Sequence, residues 1–224
     1  MMCAARGWMT CVFLAVSCTV LQGQDRSEKI NANFGGIGSV PLDPMGSYVS
    51  AGWGLTGGAG YNFKARHSAI GEFLWTRLPA TETALGPMRD ATGLASLNGH
   101  SNLYVVTGNY RYEWRGTLFG AYVIGGGGLY YRTTNPSARI NSGSNTSCTE
   151  VWLWWGFKCE SGVVVSGQRL GSTGSNALGG NIGIGFTARV AEQPYRLYFE
   201  SRYHYAPQKN ISTQLVTIGV GIRY

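Results

Sequence analysis

The sequence predicts an all-β protein, an eight-stranded antiparallel up-and-down transmembrane β-barrel preceded by a cleavable signal peptide. Three features of its 224 residues predict this fold. Apolar and polar side chains alternate along many segments, and most of these segments are 11–14 residues long. Charge is scarce, since Asp, Glu, Lys and Arg make up 13% of the chain, about half the share in soluble globular proteins. Long strands with one apolar face are typical of a sheet that contacts lipid.

The first residues predict a secretory signal peptide. Arg6 supplies a basic start, and Met9–Leu21 is an apolar run of 13 residues, too short to cross a bilayer as a helix. We therefore expect a signal peptide over 1–23 and a barrel domain over 24–224. The alternatives are a retained anchor, which the short run disfavours, and lipoprotein processing at Cys18, whose flanking residues fit the required motif poorly.

Strands are predicted wherever a period of two separates an apolar face from a polar one. The clearest case is the C-terminal segment, where valine, isoleucine and tyrosine alternate with threonine, glycine and arginine. The first segment is the weakest, and it is assigned mainly because a closed barrel needs a partner for the last strand. The predicted strands are 32–42, 50–63, 67–78, 103–114, 117–133, 177–190, 195–205 and 212–224.

A soluble β-sandwich would also alternate, so two further features decide for a barrel. Aromatic residues gather at strand ends, where the interfacial girdles of a membrane barrel lie. The lengths of the connections also differ by parity, which a sandwich has no reason to show. The tight connections are 64–66, 115–116 and 191–194, and those between them are 43–49, 79–99, 134–176 and 206–211.

Charged residues recur on the polar faces and are predicted to point into the barrel. An eight-stranded barrel is narrow enough for side chains to fill it, and charges inside it should pair. We expect a network that plugs the lumen; the alternative is a gate that re-pairs to admit small solutes. The network would comprise Glu72, Glu113, Glu200, Arg111, Arg196 and Arg202.

The 134–176 connection is the most distinctive segment of the sequence. It contains Cys148 and Cys159, the two cysteines left after signal removal, and an oxidising compartment predicts a disulfide between them. Aromatic residues crowd the span between the cysteines, and they are Trp152, Trp154, Trp155 and Phe157. Either they form a hairpin that extends the barrel, with rings packed on other loops, or they form a surface that binds an unknown extracellular ligand.

Several classes of function are disfavoured. The formal charge of +7 comes from scattered basic residues, so no nucleic-acid surface is predicted. Metal-ligand spacing is not evident, and we expect no cofactor. Lipid chemistry would need a nucleophile, a histidine and an acid at the membrane surface. His67 and His100 have serine neighbours that point to the opposite face, and His204 is predicted inside the lumen. We therefore expect no enzyme.

The chain resembles the small outer-membrane β-barrel family that includes the OmpA barrel domain. The matching pieces are the glycine-aromatic stretches Gly57–Phe63, Gly71–Phe73 and Gly125–Tyr131, and their order and spacing extend the resemblance over the whole barrel domain. The resemblance implies a multi-pass protein of the bacterial outer membrane, surrounded by lipid, with both termini in the periplasm. We expect no peptidoglycan-binding domain after Tyr224.

The C-terminus resembles the signal that barrel-insertion machinery reads. It has a polar residue, a glycine two positions later, then a hydrophobic residue and a terminal aromatic residue. Ile222 stands where an aromatic residue is commoner, and this departure weakens the match. The residues of the resembling signal are Thr217, Gly219, Ile222 and Tyr224.

Overall fold

The computed structural model describes residues 29–92, 97–138, 149–153, 156–160, 173–190, 193–208 and 211–224. In these ranges the chain forms strands, one α-helix (α1, Glu82–Thr92) and a short 3-10 helix (Met45–Ser47). The strands are β1 (Ile30–Pro41), β2 (Gly52–Lys64), β3 (His67–Pro79), β4 (Leu97–Arg115), β5 (Phe119–Ala138), β6 (Thr149–Leu153), β7 (Gly156–Glu160), β8 (Thr173–Arg189), β9 (Arg196–Ala206) and β10 (Thr213–Arg223).

Eight of these strands close into one antiparallel barrel in the order β1-β10-β9-β8-β5-β4-β3-β2. The first and last strands pair along most of their length, with Gly38 opposite Ile218 and Asn33 opposite Arg223. Closure leaves no sheet edge with unpaired backbone groups. The predicted eight-stranded up-and-down barrel is confirmed, including the weakly patterned first strand. The remaining strands, β6 and β7, pair only with each other.

Three barrel strands are longer than the sequence pattern predicts. β4 begins at Leu97, β5 ends at Ala138, and β8 begins at Thr173. The added residues pair with one another, so the ladder continues beyond the region of apolar alternation. Because the period-two pattern fades in these polar stretches, it could not show where the strands begin and end. The ends of the predicted 134–176 loop are therefore strand.

The barrel has two unlike ends. The connections 65–66, 116–118 and 190–195, with both terminal strand ends, define the turn end. The loop end carries the other connections, which are 42–51, 80–96, 139–172 and 207–212. The predicted asymmetry of length holds in general but not strictly, since 190–195 and 207–212 are both six residues long.

The outer surface of the barrel is an apolar band between two groups of aromatic residues. Trp53 and Trp75 meet edge to face near the loop end, with ring centroids 5.5 Å apart. Tyr112 and Trp114 do so near the turn end, at 4.7 Å. The exposed apolar side chains between them include Leu55, Val106, Leu129, Ile182, Ile184, Phe199, Ile218 and Val220. No helix among the described residues is long and apolar enough to cross a membrane.

Glycines on the inner face make room for large inward side chains. A Cβ atom at Gly185 would lie 2.2 Å from the ring of Tyr122, and one at Gly58 would lie 2.6 Å from Cγ of Glu72. Such separations are far below van der Waals contact. These two glycines therefore allow the aromatic ring and the carboxylate to occupy a narrow interior.

Candidate functional site

The interior of the barrel contains a central ion network. Nη1 of Arg202 donates to Oε2 of Glu72 at 2.7 Å, and Nη2 donates to Oε1 of Glu200 at 2.5 Å. Strands β3 and β9 supply these residues from distant parts of the chain, and all three side chains are buried or nearly so. One guanidinium thus joins two carboxylates, and the geometry is of the strong charge-assisted kind. We name Glu72, Glu200 and Arg202 the central network.

Neutral groups complete the hydrogen bonding of the central network. Glu72 accepts from Nδ2 of Asn33 at 3.0 Å and from Nδ2 of Asn109 at 2.5 Å. The hydroxyl of Tyr122 donates to Glu200 at 2.9 Å, and Asn181 donates to Oδ1 of Asn109 at 2.9 Å. Because a buried charge is costly unless its polar atoms have partners, these bonds are what makes the network tolerable inside the barrel.

A second charged cluster lies closer to the turn end. Oε2 of Glu113 lies 3.7 Å from Arg111, 3.3 Å from Arg115 and 3.9 Å from Arg223. The guanidinium of Arg223 also stacks over the ring of Tyr122, 4.4 Å from its centroid. Arg111 and Glu113 are buried. We name Arg111, Glu113, Arg115 and Arg223 the turn-end cluster.

Hydrogen bonding in the turn-end cluster is incomplete. Within the described part of the chain, all three nitrogens of Arg111 and both carboxylate oxygens of Glu113 lack a hydrogen-bond partner. Nε and Nη1 of Arg223 are in the same state. One carboxylate therefore faces three guanidinium groups at distances longer than a good hydrogen bond. The cluster carries an excess of positive charge.

The six predicted network residues fall into separate groups. Glu72, Glu200 and Arg202 are joined directly, while Arg111 and Glu113 belong to the turn-end cluster. Arg196 lies at the rim, where its Nη2 donates to the carbonyl of Gly116 at 2.8 Å. The sequence could place all six on inward faces. It could not show which charges pair, because that depends on the register of strands far apart in sequence.

Beyond the central network, towards the loop end, the interior contains a cluster of apolar side chains. Buried side chains from several barrel strands pack together there, and among them Tyr130 and Leu215 are fully buried. His204 lies among them, with Nδ1 3.1 Å from the hydroxyl of Tyr130 and Nε2 3.2 Å from Oγ1 of Thr217. The members of this apolar plug are Ile37, Leu74, Leu103, Val105, Tyr130, Ala177, Ala206 and Leu215.

The loop end itself is covered by the 42–51 connection. Met45 from the 3-10 helix packs with Val49 and Leu78, and all three side chains are almost fully buried. Beside them Arg132 donates from Nη2 to the side-chain oxygen of Gln208 and to the carbonyl of Ile211. Together the plug and this cover leave the described interior filled with side chains at its loop half.

The predicted loop surface is only partly described. β6 and β7 form a hairpin in which Trp152 pairs with Phe157 and Glu150 with Cys159. This hairpin contacts α1 through β7. Cys148, Trp154 and Trp155 lie outside the described residues, as does the signal peptide over 1–23, so the disulfide and the signal remain predictions. The described residues hold no group of three or more histidine, cysteine, aspartate or glutamate side chains that could bind a metal ion.

Helix α1 is held by a local ion pair. Nη1 and Nη2 of Arg89 donate to the two carboxylate oxygens of Glu82 at 2.5 and 3.2 Å. The hydrogen bond from Arg89 lowers the pKa of the Glu82 carboxyl below its ordinary value. Because both groups are exposed, this pair gives the helix local definition more than stability.

The other residues singled out in the sequence lie on both faces of the barrel. Thr217 and Gly219 point inward on β10, whereas Ile222 and Tyr224 point outward. Nδ1 of His67 lies 2.5 Å from the hydroxyl of Tyr110 on the outer surface. The remaining histidine, His100, contacts Arg77 near the loop end at 3.2 Å. The histidines thus occupy three separate environments.

Five residues of the two charged groups were not among the six predicted network residues. Asn33, Asn109 and Tyr122 complete the central network, and Arg115 and Arg223 extend the turn-end cluster. A signal for each was present, because all five have the inward parity of their strands. The sequence pattern does not show that neutral asparagine and tyrosine side chains complete a charge network, because that depends on the barrel register.

Several solved structures are similar to this chain. The major outer membrane protein of Thermus thermophilus matches with a TM-score of 0.53 and 9% identity, over 86% of this chain and 98% of that one. Neisserial surface protein A matches with a TM-score of 0.50 and 12% identity, over 87% and 95%. Ail of Yersinia pestis, crystallised with the heparin analogue sucrose octasulfate, matches with a TM-score of 0.43 and 14% identity, over 88% and 97%.

At these identities the likeness to the first two shows the fold. The chain has the fold of the small outer-membrane barrels, which confirms the predicted resemblance at that level. No family model matches the sequence, and no curated protein matches it either.

Proposed function

We propose that this protein is an integral β-barrel of the bacterial outer membrane, with a closed lumen and a structural or surface-interaction role at its loop end. The observation that carries the proposal is the contrast between the two faces of the closed barrel. The outer face exposes large apolar side chains all round, whereas charged groups are gathered inside. In water this arrangement would be inverted, and in a bilayer it satisfies both faces.

The dimensions of the apolar band support the membrane assignment. Trp53 and Phe63 lie ten residues apart on β2, near opposite ends of the band. That separation corresponds to roughly 33 Å along a strand and, at a tilt of about 40°, to roughly 25 Å along the barrel axis. This matches the height of the apolar band of outer-membrane barrels, about 25 Å.

Two measurements on native membranes test the assignment. The membrane-extracted barrel should migrate faster on a gel before heating than after, because a closed barrel resists detergent. Proteolysis of intact cells should cut within 139–172 and spare the turns at 65–66 and 116–118, since the proposal places the loop end outside. Recovery of the protein in the soluble fraction, with no heat-dependent shift, would contradict it.

A narrow gated pore is the rival function, and the apolar plug speaks against it. Any path past the central network would meet the plug, where Tyr130 and Leu215 are fully buried. The packing of these side chains obstructs the passage of water and ions. We therefore expect no conductance steps when the refolded protein is added to a planar bilayer. Reproducible single-channel steps would favour the pore.

The loop end is the place for a surface interaction. The aromatic residues predicted there are Trp152, Trp154, Trp155 and Phe157. Replacing the three tryptophans with serine should reduce binding of whole cells to a host surface, or to a second bacterial cell, while the heat-dependent gel shift is kept. Loss of the shift without a selective loss of binding would assign these residues to folding. The proposed partners are therefore an extracellular ligand, the lipid of the outer membrane and, during biogenesis, the barrel-insertion machinery.

We also propose that the protein is not an enzyme. His204 is buried in the plug, where lipid does not reach it. On the outer surface His67 contacts Tyr110 and His100 contacts Arg77, and neither of these two partners is an acid. Mass spectrometry of lipid A from cells with and without the gene tests this, and a changed acyl pattern would contradict it.

A further inference from the structure

The turn end of the barrel opens into a cavity lined by arginines. Its volume is about 510 Å³, and its walls come from the ends of β1, β2, β4, β8, β9 and β10. The charged lining residues that the structure describes are Glu113, Arg115, Arg189, Arg196 and Arg223. Four cations and one anion therefore face a single space, whereas the central network deeper in the interior holds two carboxylates and one guanidinium.

The lining arginines are not satisfied by the chain. Among the described residues, Nε and Nη1 of Arg223 and Nη1 of Arg196 have no hydrogen-bond partner, although these atoms are shielded from solvent. Arg223 itself is more than nine-tenths buried, at 5% exposure. Buried donors without partners are costly. Because Arg196 and Arg223 both line the cavity, a rotation of their side chains would bring these donors to an acceptor held inside it.

The neighbouring carboxylate of Glu113 can supply only part of what is missing, although both of its oxygens also lack a hydrogen-bond partner among the described residues. Glu113 already lies near Arg111, Arg115 and Arg223, and none of these contacts is shorter than 3.3 Å. A single carboxylate has about four acceptor positions, fewer than these guanidinium groups offer as donors. An anion from outside the chain would add acceptors and neutralise the excess charge.

We propose that this cavity binds a phosphate-type oxyanion, held by Arg115, Arg196 and Arg223 from three different strands. A tetrahedral anion with up to two charges can accept from several planar guanidinium groups at once, which a single carboxylate cannot do as well. The site goes beyond the structural role proposed above and does not depend on which end of the barrel faces the cell exterior. The phosphate could be free or part of a lipid headgroup.

Calorimetric titration of the full-length barrel, refolded in nonionic alkyl-glucoside micelles at constant ionic strength, tests the site. Inorganic phosphate is the first probe, and micelles containing phosphatidylglycerol are the second. We expect one phosphate per barrel and binding weakened roughly tenfold or more in R115Q and in R196Q. R77Q removes an exposed cation from the outer surface and should leave the affinity unchanged. The gel shift on heating verifies that each variant is folded.

Replacing Glu113 should change the phosphate affinity in the opposite direction. Because its carboxylate competes with the ligand for the same arginines, E113Q should bind phosphate about tenfold more tightly. Should E113Q fail to fold, the R115Q and R196Q results still decide. Equal binding by the wild type, R115Q and R196Q, or no binding of either probe, would overturn the site.

The two probes identify the source of the phosphate. Binding of inorganic phosphate that R115Q and R196Q weaken supports a free anion as ligand. Binding of the lipid alone, weakened by the same variants, supports a headgroup. Glu192 belongs to the 190–195 connection and lies outside the described residues, so E192Q is titrated as well. Phosphate binding that appears only in E192Q would overturn the proposal, because the occupant would then be the chain's own carboxylate.

Discussion

The central network and the turn-end cluster use the same residue types and differ in how well the charges are satisfied. In the central network one arginine bridges two carboxylates at 2.7 and 2.5 Å, and asparagine and tyrosine side chains complete the bonds. In the turn-end cluster one carboxylate is shared by three arginines at 3.3–3.9 Å. The first arrangement is typical of a structural core, and the second of a site that binds an external anion.

This difference teaches that buried charge alone does not identify a functional site. Arg202 of the central network and Arg111 of the turn-end cluster are both buried on inward faces of their strands. Only the second leaves its donors without partners in the described chain. What distinguishes the two groups is whether hydrogen-bond donors and acceptors are matched. Replacing one arginine in the central network and one in the turn-end cluster tests this difference.

The largest effect is expected for Arg202→Met. The change leaves Glu72 and Glu200 buried in the lumen without their shared cation, and breaking such a buried pair costs about 3–5 kcal/mol. The free energy of unfolding, measured by urea titration in micelles with the gel shift as readout, should fall by that amount. A loss below about 1 kcal/mol would mean that the central network does not stabilise the barrel.

A smaller loss is expected for Gly185→Ala. The added methyl group would lie 2.2 Å from the ring of Tyr122, which both donates to Glu200 and lies under Arg223. Overpacking of this kind costs about 1–3 kcal/mol, again measured by urea titration.

Gly36→Ala is a matched control, because no heavy atom lies within 4 Å of the added methyl group. Equal effects of the two substitutions would show that the ring of Tyr122 can move aside, so that it does not rigidly connect the central network to the turn-end cluster.

Much of the fold could be predicted because a period of two constrains every residue of a strand at once. The pattern of β9 alone predicts that Glu200, Arg202 and His204 point inward, and the structure places them there. The pairing of Glu72 with Arg202 spans 130 residues, so it depends on the barrel register rather than on any local pattern. The cover by Met45 was equally out of reach, since an irregular connection has no periodicity to follow.

The smallest effect on the free energy of unfolding is expected for Arg111→Met, and it distinguishes the turn-end cluster from the central network most clearly. This guanidinium is fully buried, makes no hydrogen bond in the described chain and lies near Arg223, another cation. Replacing it with an apolar side chain of similar length removes a desolvated charge and leaves Glu113 near Arg115 and Arg223. The free energy of unfolding should therefore change by less than about 1 kcal/mol or increase. A loss as large as that of Arg202→Met would show that Arg111 is paired in solution. The central network and the turn-end cluster would then not differ in how their charges are satisfied.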